Sequence, residues 1–273
     1  MHSRRWRDFV YVYPVVSRRS KGLSIGVNLS PEGGCNFHCI YCQVDRTEPR
    51  RARGVDFDVL TTELRDLLGN HDRVFDDSKL REIPSELRVV RDIAFSGDGE
   101  PTISPAFPAA VGLAAELRSE FGLADTKIVV FTNACYLKKP SVIQTLAFLD
   151  DHNGEVWAKL DAGTQAYYEL VNGPSHPLTH VMDNILMAAR ARPIVIQSLF
   201  MRIRGEPPPA AEIEAYVNRL RWLLDNGGRL KLVQTYAIAR RPSQSFVSEL
   251  SPEELDAIAD AVRPLGVPVE AYV

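Results

Sequence analysis

Short apolar runs alternate along the chain with longer stretches in which apolar residues recur every three or four positions. The runs LSIGVNLS (23–30), DIAFSG (92–97), KIVVFTN (127–133), EVWAKLDA (155–162), PIVIQSLFM (193–201) and KLVQTYAI (231–238) each predict a buried strand. Helical spacing fills the intervals. FDVLTTELRDLLGN places Phe57, Leu60, Leu64, Leu67 and Leu68 on one face and stops at Gly69 and Asn70. Ser104 and Pro105 predict an N-cap and first-turn proline for a helix ending near Gly122. Further helical faces are Val142, Ile143, Leu146 and Leu149; then Val181, Ile185, Leu186 and Ala189; then Ile213, Val217, Leu220 and Leu224. Ser251, Pro252 and Glu254 predict a capping box for the last helix, and VPVEAYV (267–273) a terminal strand. At the other end DFVYVYPVV (8–16), broken by Pro14, also reads as a strand, and His71 to Arg91 is charged and irregular.

Six strand–helix units with near-continuous apolar strands predict an α/β fold, a parallel sheet covered by helices. Such a succession forms an open doubly wound sheet or closes toward a barrel, and in both cases active residues lie at the C-terminal ends of the strands. No shift in composition, repeat or low-complexity tract divides the chain, and EPPPAAE (206–212) reads as the entry to a helix. The expectation is one domain over 1–273: an N-terminal extension (1–22), a core (23–240), and a C-terminal helix and strand (241–273).

Composition changes this picture little. The 273 residues are 45% hydrophobic and 25% charged, ordinary for a globular protein. The net charge of −3 argues against bulk electrostatic coating of nucleic acid, but it is unevenly spread. Residues 1–54 hold ten Lys or Arg against four acids, +6, which leaves −9 for the remainder. SRRSK (17–21) and RRAR (50–53) would build a basic face there, or simply carry solvated arginines on loops. No apolar run reaches the roughly 18 residues of a membrane span. Three of the four cysteines cluster, unlike a secreted disulfide framework, so a cytoplasmic chain without membrane attachment is expected.

That cluster, CNFHCIYC, carries Cys35, Cys39 and Cys42 directly after the first predicted core strand. Structural zinc wants four ligands, and a second cysteine pair is missing; His38 sits inside the loop, too close for the usual spacing. A non-catalytic zinc module built from the triad and His38 is one reading. An iron–sulfur cluster of the four-iron type is another: with three thiolates, one iron is left open to a ligand.

The spacing C-x3-C-x2-C, with Tyr41 before the third cysteine, resembles the signature of the radical S-adenosylmethionine (SAM) superfamily. The resemblance implies a partial (β/α)6 TIM-type barrel. It also implies a [4Fe–4S] cluster on Cys35, Cys39 and Cys42, with SAM on the fourth iron and in contact with Tyr41. Reductive cleavage of SAM would then give a 5′-deoxyadenosyl radical that abstracts hydrogen from a substrate.

Other stretches join this resemblance. FSGDGEPT (95–102) is similar to the family's glycine–glutamate segment, which implies that Gly97, Asp98, Gly99 and Glu100 meet the SAM ammonium. TNACY (132–136) resembles the family's third strand end, implying a SAM contact for Asn133, but Ala134 stands where glycine is usual. Cys135 has two implied tasks, hydrogen donor to a substrate radical or further metal ligand, beside its plain reading as a small buried hydrophobe. Lys159, Asp161, Gln197 and Ser198 are polar groups in apolar strands, implied to reach the SAM carboxylate and ribose or the substrate. Gln197 and Ser198 are favoured for ribose, and Lys159 and Asp161 have the alternative of pairing with each other. Gln234 and Thr235 would lie by the adenine and substrate, with Tyr236 there or in the core. Arg202, Arg204 and Arg240 would bind an anion or be solvated.

SIGVNLSPEGGCNFHCIYCQVDRT together with SGDGEPT looks closest to the group that includes wybutosine-type tRNA-modifying enzymes, though without the cysteines of a second cluster. The resemblance implies a flavodoxin or ferredoxin as electron donor. A nucleotide or tRNA substrate is favoured over a peptide or partner protein, which an activase would take.

Overall fold

The computed structural model describes residues 6–44, 54–77, 80–239, 242 and 244–273. RRAR (50–53) and Arg240 lie outside the described residues. An antiparallel hairpin of β1 (Val12–Ser17) and β2 (Gly22–Val27) comes first, paired from Val12↔Val27 to Ser17↔Gly22. After it run α1 (Phe57–Gly69), β3 (Val90–Phe95), α2 (Phe107–Glu120), β4 (Lys127–Thr132), α3 (Pro140–Asp150) and β5 (Gly154–Lys159). Then follow α4 (Gln165–Asn172), α5 (Leu178–Ala191), β6 (Ile194–Leu199), β7 (Arg202–Ile203) and α6 (Ala210–Asp225). The chain closes with β8 (Leu230–Tyr236), β9 (Val247–Ser248), α7 (Pro252–Val262) and β10 (Val269–Tyr272).

One eight-stranded sheet has the order β1-β2-β3-β4-β5-β6-β8-β10, while β7 and β9 pair separately. All neighbours in the large sheet except β1 and β2 are parallel. The six expected core strands are present and curl into a partial (β/α)6 barrel, with β1 and β10 added at the two edges. The sheet's two faces bury different things, as strand alternation requires. Ile25, Ile93, Ile128, Ile196 and Val233 face the helices, where Leu60, Leu64 and Leu67 of α1 belong to the same core. Ala94, Val129, Trp157 and Val195 form a second cluster inside the curl, with Phe131 and Leu232 against it.

A charged layer shares that inner face. Lys127 Nζ reaches Glu155 Oε1 at 2.7 Å, Lys231 Nζ reaches the same oxygen at 2.5 Å, and Trp157 Nε1 donates to Glu155 Oε2 at 2.9 Å. Burial alone would raise the Glu155 pKa, but these three donors hold the carboxyl below its ordinary range. Ser24 Oγ donates to the buried Asp92, whose pKa burial pushes up.

Several elements depart from expectation. α2 starts at Phe107, because Pro101–Ile103 first make a 3-10 turn capped by the Glu100 carboxylate, which accepts from Thr102 N. Ser104 Oγ accepts from Ala106 N instead of capping the helix at Pro105, and the first-turn proline is Pro108. Strand β5 stops at Lys159, which leaves Asp161 in the following loop. α4 was not anticipated, although its boundaries are written in the chain. Thr164 caps it by accepting from Tyr167 N, and Gly173 closes it at φ 47°, a left-handed conformation. The capping box of α7 forms as expected, with Glu254 N donating to Ser251 Oγ and Ser251 N to Glu254 Oε2. No described helix is long and apolar enough to cross a membrane.

Candidate active site

A cavity of about 400 Å³ opens at the C-terminal ends of the parallel strands. Cys35, Cys39 and Cys42 line it, together with Gly97 to Glu100, Asn133, Lys159 and Gln197. None of the three forms a disulfide among the described residues.

The cysteine loop leaves β2 through a turn at Gly33 (φ 85°), where Gly33 N donates to Ser30 O. It is then hung on the last turn of α4. His38 N donates to Asn172 O and Ile40 N to Val171 O, both at 2.9 Å. A side chain at Gly173 would press on His38, its Cβ 3.0 Å from that of His38. Nitrogen donors are aimed at the sulfurs: Asn172 Nδ2 lies 3.4 Å from Cys39 Sγ and Phe37 N 3.5 Å from Cys35 Sγ. Such donors suit sulfurs that carry ligand charge. Burial nonetheless pushes the Cys39 thiol up to about 11, with nearby Lys159 opposing it. His38 is exposed and does not line the cavity, so the expected zinc alternative loses its fourth ligand. Among the described residues no three His, Cys, Asp or Glu side chains converge tightly enough for a single metal ion.

The glycine–acid segment packs against this loop. Glu100 N donates to Gly34 O at 3.0 Å, and a Cβ at Gly99 would stand 2.1 Å from that same oxygen. Asn28, just past β2, brackets Asp98 by donating from Nδ2 to Asp98 Oδ2 and accepting from Asp98 N. The Glu100 carboxylate has a structural task. Oε1 accepts from Thr102 N, Thr102 Oγ1 and Thr132 Oγ1, and Oε2 from Asn133 N at 2.7 Å. It ties the end of β3 to the end of β4, while burial, opposed by these donors, raises its pKa. Asn133 in turn donates to Asn36 Oδ1 at 2.7 Å, which returns to the cysteine loop.

Lys159 and Asp161 do pair, Nζ to Oδ2 at 3.6 Å, and Lys159 also donates to Tyr236 OH at 2.9 Å. Burial would lower the Lys159 pKa, but Asp161, Tyr236 and Cys39 raise it above the ordinary range. Asp161 is a buried hub that does not line the cavity. It accepts from Tyr41 OH, from Asn172 Nδ2 at 2.9 Å and from Leu199 N at 2.9 Å. Burial, with Asp161 beside it, pushes the Tyr41 pKa well up.

Strand alternation divides the remaining candidates. Gln197 faces the cavity and donates to Gln234 Oε1 at 2.8 Å. Ser198 points the other way, bonding Tyr216 OH of α6 at 2.6 Å, so it is not placed for ribose. Thr235 pairs in register with Ser198 and shares its orientation away from the cavity, which corrects its expected place by the adenine. Tyr236 belongs to the cavity wall rather than the core. Cys135 is buried, its thiol pushed up by burial to about 12, and it does not line the cavity. Its backbone oxygen accepts from Asn184 Nδ2 at 2.9 Å. A hydrogen-donor or ligand role is therefore not supported by its position. Arg202 binds Glu254 and Gly205 O as a strut to α7, and Arg204 lies over the Phe246 ring. Sequence reasoning missed Asn28, Asn36 and Asn172, and read the hairpin residue Arg19 only as part of the basic run SRRSK. Only the Asn172–Gly173 turn signal could have pointed to one of them.

The residues present fit the group the cysteine pattern implies. Three cysteines outside any described disulfide meet one cavity, nitrogen donors face two of the sulfurs, and a glycine backbone without obstructing side chains lies beside them. Fold and site together define a partial α/β barrel with three cysteine side chains gathered at one cavity. A family model described as the radical SAM superfamily matches residues 29–213, and the chain belongs to that superfamily. It is thus a radical SAM enzyme, and membership implies SAM and an iron–sulfur cluster. A UPF0026 protein of Helicobacter pylori is 25% identical over 246 residues, 89% of this chain and 70% of its own length. A protein of Brachyspira hyodysenteriae described as the GTPase Obg is 27% identical over 59% of this chain, which spans only 20% of that protein. The fold is similar to that of a radical SAM methyltransferase from Sphaerobacter thermophilus, with TM-score 0.66 and 14% identity over 96% of this chain and 69% of the other.

Proposed function

We propose that Cys35, Cys39 and Cys42 hold three irons of a [4Fe–4S] cluster whose fourth iron takes SAM, and that a nucleotide or tRNA is the substrate. The observation that carries this reading is the meeting of the three cysteines and the Gly97–Glu100 segment on one cavity wall. When bound, the reduced cluster and SAM supply methionine and a 5′-deoxyadenosyl radical that takes a hydrogen atom from the substrate. The chain's own part is binding and exclusion. Backbone groups of Gly97 and Gly99, with Asp98, would receive the SAM ammonium, a cation suited to an acidic loop. Lys159, anchored by Asp161 and Tyr236, would meet the SAM carboxylate, and Gln197 the ribose. Asn172 would orient Cys39 through its amide. Arg18 and Arg19 on the cavity wall support an anionic substrate. A flavodoxin or ferredoxin would supply the electron, since the cluster must reach the low end of the iron–sulfur potential range.

The test is anaerobic reconstitution with iron and sulfide, addition of dithionite and SAM, and assay of 5′-deoxyadenosine. Product is expected from the wild type and lost in each of Cys35→Ala, Cys39→Ala and Cys42→Ala. Failure of the wild type to bind iron, or product that survives the cysteine substitutions, would sink the reading.

A further inference from the structure

The β1–β2 turn brings Arg19 into the mouth of the same cavity, and no cofactor assignment accounts for it. The guanidinium lies over the rings of Tyr236 and Phe131, 4.8 and 5.5 Å from their centroids. Among the described residues it makes no hydrogen bond and no salt bridge. A stacked guanidinium keeps its edge N–H donors in plane and free, while the rings fix its orientation and strip part of its water. The turn that presents it is itself held. Ser20 N donates to Ser17 Oγ at 3.1 Å, and Lys21 reaches Glu270 at 3.1 Å.

Asp92 is the carboxyl that feels the charge of Arg19, but it is buried, bonded by Ser24 and shared with Lys127, so charge counting leaves this cation in excess. In the layer beneath, Asp92 and Glu155 stand against Lys127 and Lys231, and Lys159 is matched by Asp161. Glu270 serves Lys21 and accepts from Tyr272 OH. Asp98 and Glu100 lie in the segment assigned to the SAM ammonium. Arg18, the other arginine of the turn, is exposed.

We propose that Arg19 is a specificity-determining residue, whose stacked guanidinium anchors an oxyanion of the substrate, a phosphate ester or a carboxylate, at the mouth of the cavity. That the anion is the substrate's rests on the radical SAM reading above; the anion site itself does not. Binding would be through paired N–H···O bonds from one guanidinium edge, the geometry arginine offers and lysine lacks.

The test uses the reconstituted full chain saturated with SAM. Backbone amide resonances of the β1–β2 turn, which every variant retains, are followed together with the arginine Nε–H resonances as inorganic phosphate, and separately acetate, is added. Expected is one saturable resonance shift with at least one of the two ions. It should be lost in Arg19→Met, which keeps an apolar chain on the rings without the charge, and weakened at least tenfold in Arg19→Lys. Tighter binding of phosphate assigns a phosphate ester and tighter binding of acetate a carboxylate, and both support the anchor. Absence of saturable binding of either ion to the wild type, or equal affinity in a folded Arg19→Met, overturns it. The 5′-deoxyadenosine assay on the same sample keeps the two readings apart. Radical formation without anion binding removes the anchor alone, and anion binding without radical formation removes the chemistry alone.

Discussion

Gln197 and Ser198 are adjacent in β6, equally buried, and equally polar in an apolar strand, yet they belong to opposite faces of the sheet. Gln197→Ala is expected to weaken SAM binding about tenfold, which corresponds to about 1.4 kcal/mol. Ser198→Ala should leave SAM affinity unchanged and cost about 1 kcal/mol of stability through the bond lost from Tyr216 OH. Equilibrium dialysis and denaturant titration of the two variants measure both, and a reversed pattern would remove Gln197 from the site. A second test falls on Gly99. The methyl of Gly99→Ala would stand 2.1 Å from a backbone oxygen of the cysteine loop, so the two loops must separate. Overpacking of this kind costs about 1–3 kcal/mol, and SAM affinity should fall with it; an unchanged affinity would detach the segment from the cofactor. At this scale the sequence was informative where residue type is restrictive, as with the cysteines and glycines. It was silent where the decision is which way a side chain points, because alternation within a strand needs a fixed register and the runs here are apolar throughout.

Among the elements, α4 has the largest consequence for the site, and it was the one α-helix not anticipated. Eight residues with a short apolar stripe give little periodic signal, so the flanking Thr164 and Gly173 were the legible part. Its helix end holds the backbone of His38 and Ile40, and through Asn172 it faces Cys39. Gly173→Ala is therefore expected to be costly twice over. A left-handed φ costs a residue with a Cβ about 1–2 kcal/mol, and the added methyl presses on His38. The variant should unfold at lower temperature and bind less iron per chain after reconstitution, while retaining helical circular dichroism. Normal iron content at a lowered melting temperature would show that α4 stabilises the fold without shaping the cluster loop. The strands and most helices were legible because long apolar periods survive any detail of capping. The start of α2 was not, since Glu100 claims the preceding turn through bonds to Thr102 and to Thr132 of β4, a partner 32 residues away that leaves no local pattern.

For the molecule as a whole, the curl of the sheet creates an interior with its own electrostatics. Glu155 is buried in it between two lysines and held below its ordinary pKa. A carboxyl depressed in the folded state contributes stability that is present above the unfolded pKa, near 4.3, and is lost as pH falls through the folded value. Glu155→Gln should thus be less stable than the wild type at pH 7, by about 2 kcal/mol, with the gap narrowing in strong acid. Urea titrations at pH 7 and at pH 3 measure this, and a gap independent of pH would assign the loss to packing. At the rim, the ion pair of Lys21 with Glu270 is solvent-exposed, so Lys21→Ala should change stability by less than about 1 kcal/mol. The order of six βα units was readable from the chain. The two added edge strands make the sheet larger than that count, because β1 lies in a segment read as an extension and β10 is only four residues long.

The backing of Cys39 by Asn172 also has a meaning in time. About 130 residues separate Cys42 from Asn172 in the chain, and synthesis at 5–20 residues per second takes roughly 7 to 26 s to cover them. During that interval the three thiols exist without the helix end that shelters them. A chain loaded with metal too early would carry it unsheltered, and one meeting oxidant then would lose the thiols. For the proposed cluster, the order of synthesis would therefore place insertion after Asn172 has been made, and would make protection of the thiols from oxidant matter before that point.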